Sequence, residues 1–281
     1  MVLIFCAACC SVLVSILLKK LKNKGFNPLQ MIAWNYFSAS ALCYLWFQPN
    51  FSQLDVQNIP WWLILILGIL LPSIFLCLAK ALQFSGIVKT EIAQRLSVLL
   101  SLLAAYFIFE ENFDLIKLTG LFFGLSAIIF ILMAKNQQNN QQQGLFFLVS
   151  IWFGYALVDI LLKYMSSLGI QFPMTLNLMF LCSLLCSMTY ILFKFKNLGS
   201  QKNIVAGLFL GVLNFANIVF YLKAHLYFKD APAIVFAGMN IFVVLLGLFS
   251  GIFIFKEKLD FKTGFGLSLG ILSILTLAYA I

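Results

Sequence analysis

The chain has 281 residues, of which 63% are hydrophobic and only 10% charged, and its formal net charge is +9. A mean hydropathy of +1.04 excludes a water-soluble domain of this size, because one core could not hide that much apolar surface. The basic excess reads as an insertion signal and a contact with anionic lipid head groups, not as a nucleic-acid footprint.

A helix rising ~1.5 Å per residue needs about 20 residues to cross a hydrocarbon core of roughly 30 Å. Apolar runs of that length predict ten spans, at 2–18, 29–47, 61–83, 89–109, 115–134, 144–165, 174–194, 203–226, 231–255 and 262–281. Pro28, Pro60, Pro173 and Pro232 lie at or near helix starts, where a missing N–H costs little. Pro72 falls mid-span beside Ser73 and predicts a kink. The first run has no basic segment before it, so 2–18 is read as a retained helix. The longest polar stretches are 48–59 and 135–143, the second a Gln/Asn-rich tract with the composition of a flexible linker. All seven cysteines (Cys6, Cys9, Cys10, Cys43, Cys77, Cys182 and Cys186) fall inside predicted spans, so no disulfide framework follows. Cys6-x-x-Cys9 has no second ligand set with which to hold a metal.

A shift of 146 residues aligns Phe109-Glu-Glu111-Asn-Phe-Asp114 with Phe255-Lys-Glu257-Lys-Leu-Asp260. Gly120 and Gly124 then fall on Gly266 and Gly270, and Ser101 and Ala105 on Gly247 and Gly251. At slightly different offsets Lys19 answers Lys163 and Lys80 answers Lys223. The fold predicted is an all-α polytopic membrane protein with ten transmembrane helices as two inverted five-helix repeats. Residues 1–134 form the first repeat, 135–143 the linker and 144–281 the second repeat. An odd number of helices per half makes the second half enter from the opposite side.

On the two units Phe109–Gly124 and Phe255–Gly270, with glutamate at each turn and glycine nine residues later, the chain resembles the drug/metabolite transporter superfamily, specifically its EamA-type ten-helix members. Glu110-Glu111 and Lys256-Glu257 stand where Gly-Glu is more usual. The resemblance implies a secondary transporter with a central cavity lined from both halves, fifth and tenth helices that brace the bundle, and export as the direction. It also implies a multi-pass protein of the cell membrane, with a bacterial inner membrane as its setting.

The charges are unevenly shared between the connections. Lys19, Lys20, Lys22 and Lys24 in the first and Lys256, Lys258 and Lys262 in the ninth typify the odd-numbered side. The even-numbered side has Lys117, Lys163, Lys223 and Lys229 beside Asp55, Glu110, Glu111, Asp114 and Asp230. The positive-inside rule puts the odd connections in the cytoplasm and both termini outside. Members of the resembled family are usually described with termini inside, so orientation stays open.

Ionisable groups within spans are costly and become functional candidates. Arg95 is the only arginine, and its guanidinium fork suits carboxylate or phosphate. Glu91 and Gln94 share its helical face, and an intrahelical Glu91–Arg95 pair is the structural alternative. Gln94 aligns with Asn240; Asn214 and Asn217 share one helix face, and Asn35 adds a further amide. Together with Trp34 and Tyr155, these amides and Arg95 form the candidate substrate-binding set, against the alternative that buried amides bond neighbouring helices. Glu91 and Asp159, the latter with Lys163 at i+4, are the proton-coupling candidates. No catalytic residue, cofactor or metal is expected. The partners expected are a small-molecule substrate and the lipid bilayer, with the chain a monomer or homodimer.

The function expected is secondary transport of a small amphipathic metabolite, such as an amino acid or related anion or zwitterion. One alternative is a membrane-embedded acyltransferase, since His225-x4-Asp230 has the spacing of a histidine base with an orienting aspartate. The other is a non-transporting membrane scaffold.

Overall fold

The computed structural model describes residues 1–49, 59–109, 114–134, 141–169 and 171–280. The turn Glu110-Glu111, Asp55, Lys135 and residues 136–140 of the Gln/Asn tract lie outside the described residues. Among the described residues the structure is all-helical: α1 (Val2–Asn23), α2 (Pro28–Phe47), α3 (Trp61–Phe84), α4 (Ile87–Arg95), α5 (Val98–Phe109), α6 (Leu115–Met133), α7 (Gln141–Ser167), α8 (Phe172–Phe195), α9 (Gln201–Tyr227), α10 (Pro232–Phe249) and α11 (Phe261–Tyr279). A π-helical turn, Ser250–Ile254, continues α10. Among the described residues eight helices are long and apolar enough to cross a membrane, the α10 span counted through Ile254. The protein is a polytopic helical membrane protein, with large side chains such as Phe193 and Phe261 on its exterior.

Local chemistry explains where the helices begin. Asn27 accepts from Leu29 N at 3.0 Å, with Pro28 in the first turn of α2. Asp114 caps α6 by accepting from Lys117 N at 2.8 Å, and Asp260 caps α11 by accepting from Thr263 N at 3.0 Å. The last acid of each repeated motif is therefore a helix N-cap, an interaction worth about 0.5–2 kcal/mol.

The fourth run corrects the sequence reading. Expected as one span over 89–109, it is two helices, broken at Leu96-Ser97 with neither glycine nor proline present. The indole N–H of Trp152 donates to the Leu96 carbonyl at 2.9 Å, and Ser97 Oγ donates to the Gln94 carbonyl at 2.7 Å. The backbone tightens there: Leu99 N–H reaches the Leu96 carbonyl at 3.1 Å and Leu100 N–H the Ser97 carbonyl at 3.0 Å. Side-chain donors entering the carbonyl ladder are an established cause of a helix break. Pro72, by contrast, sits inside an uninterrupted α3, where Ser73 Oγ donates to the Ile69 carbonyl at 2.7 Å.

The chain forms two compact units: residues 1–19, 77–157 and 216–281 make the first, and 20–76 and 158–215 the second. Each draws on both sides of the Gln/Asn tract. In the first unit α6 lies against α11 and α4 against α10; in the second α2 lies against α8. Each pair joins one predicted span to the span five later.

The α6–α11 contact is reciprocal. A Cβ on Gly120 would stand 2.8 Å from Leu277 Cγ and 2.9 Å from Thr276 Oγ1. A Cβ on Gly266 would stand 2.9 Å from Ile131 Cγ1 and 3.3 Å from Phe130 Cβ. The same shift of 146 residues carries Gly120 to Gly266 and Phe130-Ile131 to Thr276-Leu277. Contacts that exchange in this way are the mark of a local two-fold relation. Small residues let the backbones approach, and Ser273 Oγ donates across the seam to the Gly120 carbonyl at 2.7 Å.

The second unit repeats the pattern. A Cβ on Gly68 of α3 would lie 2.7 Å from Cys182 Cβ of α8, and one on Gly211 of α9 would lie 2.6 Å from Ser38 Cβ of α2. Gly211→Leu is therefore expected to cost about 1–3 kcal/mol through overpacking, also meeting the Asn35 carbonyl. Thermal unfolding in detergent checks this against Gly264→Leu, which points into open space and is expected to leave the midpoint near wild type.

Odd-numbered connections meet one another within each unit. In the first, Lys19 at the end of its α1 segment pairs with Glu257 after α10, and Lys89 Nζ donates to the Ala134 carbonyl after α6 at 3.0 Å. In the second, Asn27 N–H donates to Asn203 Oδ1 at 3.2 Å, and Gln30 Nε2 to Asn197 Oδ1 at 3.2 Å.

Candidate functional site

The nine-residue helix α4 concentrates polar side chains that membrane helices otherwise lack: Lys89, Thr90, Glu91, Gln94 and Arg95. Glu91 and Arg95 are one turn apart, and α1 presents Ser15 and Ser11 at the same spacing. Arg95 Nη2 donates to Ser11 Oγ at 2.8 Å, and the Ser15 hydroxyl stands beside the Glu91 carboxyl. The pairing order, Ser11 with Arg95 and Ser15 with Glu91, means α1 and α4 pass in opposite directions. Gly247 of α10 provides room on the other side, since a Cβ there would lie 2.9 Å from Glu91 Cγ.

This constellation is not a surface ion pair. Glu91 is 1% exposed, and neither of its carboxylate oxygens has a partner in hydrogen-bond geometry. Arg95 Nε is likewise buried and unpartnered. Removing a carboxylate from water without a donor costs several kcal/mol. Such groups persist in membrane proteins chiefly where they bind, carry or exchange something. The helix break lies immediately after Arg95, an irregular backbone of the kind that transporters place at their binding sites. Chemically, the cluster offers a guanidinium with free donor capacity, two hydroxyls, and a carboxyl able to exchange a proton.

The start of α4 is held from elsewhere in the chain. Ile87 N–H donates to Glu257 Oε1 at 2.6 Å and Val88 N–H to Glu257 Oε2 at 3.2 Å. Lys19 forms an ion pair with the same carboxylate, and its ammonium lies 4.5 Å from the Phe255 ring centroid.

The remaining predicted residues are distributed as follows. In the first unit Gln94 is half-buried one residue before Arg95, and Tyr155 is half-buried on α7. Asn240 Nδ2 donates to the Phe236 carbonyl of its own helix at 2.8 Å. Asn217 keeps a buried, unpartnered Oδ1. In the second unit Asn214 Nδ2 donates to Asn35 Oδ1 at 3.4 Å, so these two amides are brought together. Trp34 Nε1 donates to the Leu198 carbonyl at 2.9 Å, which ties it to the α8–α9 connection. Asp159 is exposed on α7, unlike Glu91. His225 packs edge-on against Tyr221, with ring centroids 4.7 Å apart. All seven cysteines are free thiols.

Sequence reasoning missed the two serines that hold Arg95 and border Glu91. Their i, i+4 spacing within the apolar run 2–18 was the available signal. It also missed that Glu257 reaches the start of α4, for which no local pattern exists.

Residues 1–133, the stretch carrying α1 to α6, match the EamA-like transporter family. A protein of Haemophilus influenzae (strain ATCC 51907 / DSM 11121 / KW20 / Rd), described as an uncharacterized protein, is 39% identical over 283 residues, covering 97% of this chain and 96% of its own length. A solved crystal structure of a protein with 13% identity aligns over 97% of this chain and 98% of that one at a TM-score of 0.56, a likeness of fold alone.

Proposed function

The chain belongs to the EamA-like transporter family, and from that premise we propose that it is a secondary transporter exporting a small carboxylate-bearing metabolite of the amino-acid class across the cell membrane. Arg95 binds the carboxylate of the cargo, Gln94 lies beside it, and Glu91 carries the coupling proton. The observation that supports this most directly is the α1–α4 ladder, where a guanidinium with an unpartnered Nε and a buried carboxyl bordered by the Ser15 hydroxyl lie beside a helix break.

The cycle follows from an inverted pair of five-helix halves, which expose a site alternately to the two sides as they rock. Reciprocal contacts at Gly120 and Gly266 support that plan. A guanidinium holds a carboxylate through two parallel N–H···O bonds, so Arg95 selects for planar anions over neutral solutes. Because Asp159 is exposed, Glu91 is the stronger coupling candidate and Asp159 the second to substitute. The acyltransferase reading loses support from the placement of His225 against Tyr221.

The test is counterflow in proteoliposomes preloaded with a mixture of unlabelled amino acids, using radiolabelled alanine, leucine, threonine and glutamate as probes, with and without an imposed pH gradient. Saturable, pH-gradient-sensitive exchange of at least one probe is the expected result. No exchange of any amino acid, together with exchange of a non-carboxylate solute, would remove the assignment to Arg95.

A further inference from the structure

We propose that Glu257 is a positioning residue for the site on α4: its carboxylate fixes the start of that short helix and thereby sets where Glu91 and Arg95 stand. The inference rests on the reading of α4 as the transport site. A nine-residue helix has few internal hydrogen bonds of its own, so its placement depends on the tertiary contacts it makes. Its start also lacks a local cap, because the N-cap position is Gly86 and offers no side chain.

Glu257 supplies the cap from 170 positions away, accepting from Ile87 N–H and Val88 N–H with separate oxygens. A carboxylate at this end also complements the partial positive charge of the helix N-terminus. The surroundings are built around it. Gly86 has φ +87°, and a Cβ on Gly86 or Gly251 would come within 2.7 or 3.0 Å of the Glu257 carboxylate. Lys19 pairs with the carboxylate from α1, the helix that also carries Ser11 and Ser15.

The consequence runs along α4. Glu91 is one turn and Arg95 two turns beyond Ile87, about 12 Å in all at ~1.5 Å per residue. A tilt or unwinding at Ile87 moves both side chains relative to the serines of α1. Glu257 and Lys19 thus set the site without touching what it binds.

The single arginine makes the test independent of any cargo. Full-length protein in nanodiscs is treated with phenylglyoxal, an arginine-selective reagent, and modification of Arg95 is followed by mass spectrometry. Ser11→Ala, which removes the direct hydrogen-bond partner of Arg95, sets the response to a displaced guanidinium. Glu257→Gln is expected to raise the rate by about tenfold, the order set by losing a hydrogen bond to a charged group. Glu257→Asp is expected to recover part of the wild-type rate, and Lys19→Gln, which leaves the carboxylate in place, to give an intermediate one.

If Glu257→Gln fails to fold, Lys19→Gln decides alone. Wild-type rates in the folded variants, accompanied by lower thermal stability, would make Glu257 a brace without influence on the site and overturn the inference. That failure is distinct from failure of the functional reading, which the counterflow assay reports and the labelling assay does not.

Discussion

Arg95→Ala is expected to abolish amino-acid counterflow while leaving the protein folded and inserted in the membrane. The side chain donates to Ser11 Oγ, a hydrogen bond from a charged group whose loss removes about 1.5–3 kcal/mol of stability. Cargo binding loses a charged, two-pronged donor for which no other residue of the chain is chemically equivalent, since every other basic side chain is a lysine or the lone His225. Arg95→Lys separates charge from geometry. An ammonium keeps the charge but not the fork, and a residual activity about ten- to a hundredfold below wild type is expected. Counterflow in proteoliposomes, normalised to folded protein by size-exclusion chromatography, is the measurement. Full activity in Arg95→Ala would leave the α1–α4 ladder with no part in cargo recognition.

Glu91→Gln carries the second large effect. Because the amide cannot take up a proton, exchange of labelled for unlabelled cargo is expected to persist while uptake driven by a pH gradient disappears. The same change replaces a carboxyl that is 1% exposed by a neutral group of nearly equal size, so the folded protein is not expected to lose stability. That combination, loss of coupling without loss of folding, separates a proton carrier from a structural acid. Asp159→Asn, made at an exposed position, is the comparison. If pH-gradient-driven uptake survives Glu91→Gln and fails in Asp159→Asn, the coupling assignment moves to Asp159.

Much of the architecture was legible from the chain because membrane helices announce themselves by composition. The runs at 115–134 and 262–281 correspond closely to α6 and α11, and the repeat that matched Gly120 with Gly266 picked out the residues at which those helices touch. The acids of the repeated motif were visible too, although Asp114 and Asp260 proved to be N-caps. Glu257, noted for its place in a turn, instead holds a helix far away in sequence. The break at Leu96-Ser97 was hidden because neither residue is a helix breaker. It depends on an indole N–H arriving from Trp152.

The candidate site divides along the same line. Arg95 and Glu91 could be named from charge alone, since an ionised group in an apolar run is conspicuous. Trp34 and Asn240 could be named as polar in the same way, but their donors are taken by the Leu198 and Phe236 carbonyls. The sequence alone determined an all-helical membrane chain, an internal repeat and a lone arginine inside an apolar run. Those properties reside in covalent order and the helical period. Tertiary structure decided which groups are paired and which are left without a donor. Hydrogen bonding acts over about 3 Å, and residues that close to one another, such as Ser11 and Arg95 or Ile87 and Glu257, are far apart along the chain.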